Sequence, residues 1–311
     1  MLDRSEISNR MRGYAIGGVR ILAGLLWLAN IHWKVPTDFG KKNGGGLYKY
    51  IASGAENAPF APFRWALREV VIPNFTLFGW STLAIETLLA GLLLVGYRTR
   101  IVALIGAAQA IPIGLSVLYY GKGDEWSWSY LMMVGLHLLL WAIAAGEHLG
   151  VDGVLAAPRE RSNRALGIIG IVAGAVGIVG LFVARSVDFA GKQAALLGSD
   201  AGFVNADGKL VRRWELKFLW FNPLWALLTI TFAVLLIVGA RHAMAAWAGV
   251  AGFAAIAVVV FATQTFDYIR DDGVTQKVAT GSNTAFWGGL AVAGALITRR
   301  AHSTESPPTS E

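Results

Sequence analysis

The chain has no cysteine among its 311 residues. Disulfides, thiol relays, persulfide intermediates on the protein and thiolate metal sites are thereby excluded, so redox work must use a bound small molecule or a partner subunit. Charge is scarce as well: Asp, Glu, Lys and Arg make up 15% of the residues, against 55% hydrophobic. The dyad alternation of a membrane β-barrel is missing. No small-x-small cleavage site follows the first apolar stretch, which runs on through Trp27 and Asn30 and reads as a retained helix. Beyond residue 160, the middles of the apolar stretches carry no ionisable side chain.

What is present is a set of eight apolar stretches that approach or reach the ~20 helical residues needed to cross a bilayer. They are Tyr14–Ile31, Phe75–Gly96, Ile101–Tyr120, Ser127–Ala145, Ala165–Ala184, Pro223–Ala240, Ala243–Thr263 and the short Thr284–Thr298. This pattern predicts an all-α polytopic transmembrane bundle. It divides into a four-helix half over 1–155, a second over 156–298 and a disordered cytoplasmic tail over 299–311, which ends in STESPPTSE. Leu92–Ala107, LLLVGYRTRIVALIGA, parallels Leu235–Val250, LLIVGARHAMAAWAGV. A duplication through four crossings is a parallel repeat, whereas chance similarity is the alternative in segments so rich in Leu, Val, Ala and Gly.

Smaller signals fill in the loops. Gly146–Arg164 is the natural linker between halves, and Gly167, Gly170, Gly174, Gly177 and Gly180 form one close-packing helix face. Asp207-Gly208 is a two-residue hairpin signal. The His32–Asn74 loop holds an aromatic run around Phe60, Phe63 and Trp65 that can lie along the membrane interface. Arg4, Arg10, Arg12, Arg98, Arg100, Arg159, Arg161, Arg164, Arg241, Arg299 and Arg300 abut helix ends on one side, while every lysine falls on the other. The arginine-rich side is read as the cytoplasm, which places both termini inside a bacterial plasma membrane. These arginines meet lipid headgroups, so the net charge of +7 calls for no nucleic acid partner.

Four polar residues stand within the first-half stretches: Arg20, Glu86, Gln109 and His137. A charge in hydrocarbon costs at least ~2.5–3.5 kcal/mol, so such residues face a bundle interior, a partner or a ligand. At comparable depth, Arg20 and Glu86 are expected to form an ion pair that His137 or Gln109 contacts. The set reads either as a polar clasp holding four helices in register or as a ligand and proton site built on that clasp. Bis-imidazole haem ligation lacks a second membrane histidine, since only His32, near a helix end, is available. A second group, with Lys34, Trp126 and Trp128, reads either as an ordinary aromatic and lysine belt or as a basic mouth for an oxyanion or a quinone headgroup.

Three segments carry a family resemblance: RILAGLLWLANIHWK from Arg20 to Lys34, AIETLLAGLLLVGYRTR from Ala84 to Arg100, and AGEHLGVD from Ala145 to Asp152. The first ~155 positions resemble the DoxX/DoxD-like four-helix membrane proteins, and VVIPN with the EWSW turn looks most like the DoxD branch, the membrane subunit of thiosulfate:quinone oxidoreductase. The resemblance implies a quinone-linked redox role, with quinone as cofactor, a partner redox subunit and a sulfur oxyanion as electron donor. On that reading, the membrane-embedded Arg20, Glu86 and His137 are expected to form an internal site for a quinone headgroup or its protons, with Lys34, Gln109, Trp126 and Trp128 as substrate-binding residues. The four extra helices depart from that pattern. A non-catalytic scaffold and a small-molecule transporter remain the alternatives.

Overall fold

The computed structural model describes residues 4–118, 128–195, 200–204, 210–215, 219–269 and 275–303. It is predominantly helical, and five of its helices are long and apolar enough to cross a membrane. The main helices of the first part are α1 (Arg4–Ile31), α4 (Phe75–Val95), α5 (Thr99–Val117) and α6 (Trp128–Ala142). Between α1 and α4 lie α2 (Gly46–Asn57), α3 (Ala61–Ala66) and a π-helical turn at Leu67–Val71; after α6 comes the short α7 (Val151–Ala156). The second part contains α8 (Glu160–Val183), α9 (Pro223–Gly239), α10 (Ala243–Thr263) and α11 (Gly281–His302).

Three short antiparallel strand pairs accompany the helices. β1 (Ala194–Ala195) pairs with β4 (Trp220–Phe221), β2 (Asp200–Val204) with β3 (Leu210–Glu215), and β5 (Thr265–Ile269) with β6 (Thr275–Ala279). The strands β2 and β3 flank the expected Asp207-Gly208 turn, which itself lies outside the described residues. The β5–β6 hairpin was not predicted, although Asp272-Gly273 between its strands is the same Asp-Gly signal. The expected tail starts later than composition suggests: α11 continues through Arg299 and Arg300 to His302. Arg300 donates to Ala157 O at 2.6 Å, and Arg159 donates to Ala301 O at 2.9 Å, so the end of α11 is tied to the linker.

Small residues set the helix packing. On α8, Gly170, Gly177 and Gly180 are buried; a Cβ on Gly170 would stand 2.7 Å from Ala233 O of α9, so only glycine permits that approach. Gly91 of α4 and Gly289 of α11 do the same for the seam between the two parts, where a Cβ on Gly91 would lie 2.8 Å from Ala285 O. The start of α11 hooks onto the end of α1: Ser282 Oγ donates to Leu28 O at 2.9 Å, and Ala279 N donates to His32 O at 2.8 Å. Gly281 is wedged among Ile31, Leu83 and Thr87. The two matching V-G-x-R turns differ in backbone path. Gly96 caps α4 in the left-handed region at φ 69°, whereas Gly239 is the last helical residue of α9 and Ala240 follows at φ −58°. Equal letters therefore build different turns, and the sequence match gives no structural support to duplication.

Depth in the bundle follows from these seams. α1 is longer than its apolar stretch, and residues 6–12 are exposed beyond the end of α4. At its other end Ile31 lies beside Leu83 and Thr87, partway along α4. Residues 32–71 then fold back against the bundle, burying Phe39, Leu47, Ile51, Ala55 and Leu67. Irregular backbone is tolerated at such depth where protein covers it. The aromatic run around Phe60–Trp65 forms the short α3, with Phe60 and Trp65 exposed and Phe63 turned inward.

Candidate functional site

The buried charge centre is a pair that sequence reasoning assembled wrongly. Glu86 Oε2 accepts from Lys34 Nζ at 2.7 Å, and both side chains are essentially without solvent exposure. Lys34 also donates to Asn30 O at 2.6 Å, and Asn30 Nδ2 reaches Glu86 Oε1 at 3.4 Å. Gln109 of α5 hydrogen-bonds to the same carboxylate. Trp33 places its ring 4.2 Å from the Lys34 ammonium. Lys34 was expected at an outer mouth because it follows the end of the apolar run. The chain instead turns back after Ile31, and the lysine becomes the counter-ion of Glu86 in the interior.

Arg20 therefore does not pair with Glu86. Its guanidinium donates to Leu93 O, to Leu94 O at 2.9 Å and to Leu149 O at 2.7 Å. Those carbonyls include the free end of α4, where the helix dipole favours a cation. The carboxylate that acts on Arg20 is Asp152, which accepts from the backbone N–H of Arg98 at 2.7 Å and of Thr99 at 3.0 Å. Asp152 N donates in turn to Gly96 O at 2.9 Å. Gly96 needs to be glycine twice over: its φ is 69°, and a Cβ would lie 2.7 Å from Arg20 Cζ. The first-helix arginine, the turn glycine and the closing Gly146–Asp152 segment form one structural knot. The depth estimate failed because Tyr14 was taken as level with the end of α4, whereas α1 runs past that end and Arg20 itself lies beside Leu94 and Gly96.

His137 is also a packing residue. Its Nδ1 bonds to Met133 O at 2.7 Å, so Nδ1 carries the proton, and Nε2 accepts from Trp27 Nε1 at 2.9 Å. The imidazole lies against Gly106 of α5, where a Cβ would collide with the ring. Nε2 thus ties α6 to α1 and the ring packs on α5, while Nδ1 bonds within α6 itself. Trp128 is 61% exposed, as a belt residue is, and Trp126 lies outside the described residues.

The Lys34–Glu86 pair heads a cavity of about 160 Å³. The wall is largely apolar, with Leu47, Ile51, Phe63, Leu67, Phe78 and Ile113 prominent. Thr82, Gln109, Ser116, Tyr50 and Tyr130 are its other polar side chains. The space exists because α4 and α5, tied together at Gly96, pack less extensively than α5 and α6. The folded-back α2 and α3 cover it, with Gly54 of α2 close against Ser116. Of the residues singled out from sequence, Glu86, Lys34 and Gln109 share this cavity, and Arg20, His137 and Trp128 do not line it. Asn30, Thr82, Ser116 and the two tyrosines were missed. Only Asn30 carried a usable signal, since it stands four residues before Lys34 on the same helical face.

Comparisons with protein families, with curated proteins and with solved structures find no match to the chain. Among the described residues, no cluster of three or more His, Cys, Asp or Glu side chains is arranged to hold a metal ion.

Proposed function

We propose that this chain is a DoxX/DoxD-like integral membrane protein that holds a quinone headgroup in the Lys34–Glu86 cavity, as the membrane component of a quinone-linked oxidoreductase system. The carrying observation is a hydrogen-bonded ion pair at the head of an otherwise apolar cavity of about 160 Å³. A cavity of ~150 Å³ accommodates one benzene ring, so the space suits a single quinone ring. Small-molecule sites have this composition, with apolar walls and a few convergent polar groups. Lys34 and Gln109 are placed to donate to a ring oxygen, and Glu86 to exchange a proton with it. Quinone reduction takes two electrons and two protons. The electrons come from a partner subunit oxidising a small donor such as a sulfur oxyanion.

In this reading the eight main helices all cross a bacterial plasma membrane as two four-helix halves, with both termini cytoplasmic. Reporters at Gly45 and after Arg300 should then read opposite sides, external and cytoplasmic. The deciding experiment for function is lipid extraction of the purified protein followed by quinone identification. Stoichiometric quinone in the unmodified protein, lost in Glu86→Gln, supports the proposal. Absence of quinone under mild extraction overturns it.

A scaffold function is the second reading. It is favoured by Arg20, whose hydrogen bonds go to the end of α4 and to Leu149, and by His137, which accepts from Trp27 of α1. The transporter reading rested on a parallel repeat, and the differing Gly96 and Gly239 turns remove its main support.

A further inference from the structure

The cavity has a rim as well as a head. Among its half-buried wall residues, Val71, Phe78, Pro112 and Ile113 lie together on the π-helical turn, α4 and α5, while Trp33, Tyr50, Phe63, Ala66 and Gln109 are the others. Next to them along the chain stand Val70, Leu77 and Ile111, with 49%, 70% and 47% of their surfaces exposed. Leu77 and Ile111 stand on helices long and apolar enough to cross a membrane, where large apolar side chains so exposed face lipid, while Val70 sits on the turn before α4 beside the exposed Arg68 and Glu69. The gap between α4 and α5 therefore lies in the belt that meets acyl chains, about five residues and ~8 Å along α5 from Gln109 to Gly114 at 1.5 Å per residue.

Among the described residues, the head of the cavity bears no net charge. Lys34 and Glu86 cancel, and Lys34 is also held by Asn30 O. An anion binding Lys34 would have to displace Glu86, leaving a buried carboxylate without its counter-ion, which is strongly unfavourable. A neutral head with an acceptor oxygen meets no such cost. We propose that the cavity is filled from the bilayer through the gap between α4 and α5, by one uncharged long-chain amphiphile whose head meets Lys34–Glu86 while its tail leaves past Phe78 and Ile113. The sulfur oxyanion implied by resemblance is thereby assigned elsewhere, outside this cavity. The proposal deepens the quinone reading and rests on it for the identity of the head; the route and the neutrality stand on the rim and the pair.

The cysteine-free chain makes the test direct. Ser116→Cys puts one thiol on the cavity wall, and Ile113→Cys puts one at the rim. In lipid nanodiscs both aqueous faces are open to a sulfonated maleimide, while a neutral alkyl maleimide also arrives through lipid. We expect the neutral reagent to label both variants at least ~10-fold faster, and both reagents to react equally once the protein is unfolded. Comparable labelling of folded Ser116→Cys by the sulfonated reagent would establish a water-filled mouth and overturn the lipid route. Failure of the neutral reagent to reach Ser116→Cys, with normal reaction after unfolding, would overturn it too. Added long-chain quinone should slow labelling at Ser116→Cys. Without that protection the quinone reading fails while the route stands. Thiosulfate should give no protection, and protection by thiosulfate would overturn the neutral-ligand claim.

Discussion

At the Gly96 end of α4, Arg20 gives its protons to backbone carbonyls and has Asp152 as its facing carboxylate. Seven or eight residues away, about 11 Å along the axis at 1.5 Å per residue, Glu86 binds the Lys34 side chain beside an apolar cavity. Both places bury an ionised side chain in a helix bundle. The first uses it to close a turn, with glycines at 96 and 150 leaving no room for anything else. The second leaves ring-sized space next to it. The contrast teaches that a buried charge marks a site only where it adjoins unfilled volume; where backbone surrounds it, the charge is part of the fold.

The comparison breaks most readily at the ion pair. Lys34→Met and Glu86→Gln each leave one buried charged partner uncompensated, and each should lower stability by about 3–5 kcal/mol, read by thermal unfolding in detergent. The double variant should recover most of that loss while retaining no quinone per folded molecule. A double variant no more stable than the singles would mean that the two residues do not act as a pair.

Arg20→Met comes next. It strands the carbonyls of Leu93, Leu94 and Leu149, at a cost of about 2–4 kcal/mol. Quinone content per folded molecule should not change, because Arg20 does not line the cavity. A selective loss of quinone at unchanged folded fraction would break the division between the two ends. His137→Gln removes the contact with Trp27 Nε1 and should cost about 1 kcal/mol with quinone content preserved, which sharpens the same division. Trp128→Phe, at a side chain 61% exposed, should stay within about 0.5 kcal/mol on every measurement.

The helix positions were legible because apolar length is a direct readout of the solvent a segment requires, and α4, α5, α8 and α10 fall where hydropathy puts them. The buried set was legible by type and misread by partner. Hydropathy assigns Lys34 to a loop, yet the chain reverses after Ile31 and carries it inward, which no local pattern encodes. Arg20 was placed too deep because the apolar stretch of α1 runs past the end of α4, which brings Arg20 level with Leu94 and Gly96. The cavity itself was invisible: it arises from the divergence of α4 and α5, and from Gly54 letting α2 sit against Ser116. Gly96 and Gly239 show the converse limit, where one short motif supports two backbone paths.

The hook of α11 on α1 bears on biogenesis. Leu28 O and Ser282 Oγ are 254 residues apart in sequence, and Gly91 waits for Gly289 across a similar interval. The carbonyls of Leu28 and His32 and the groove at Gly91 are therefore uncovered until nearly the whole chain has left the ribosome. The first four main helices must insert before the surface that completes them exists. A chain ending before Gly281 would carry the Lys34–Glu86 pair and lack the helix start that packs on Ile31, Leu83 and Thr87, so folding of the first part draws on the second even though the cavity lies wholly in the first.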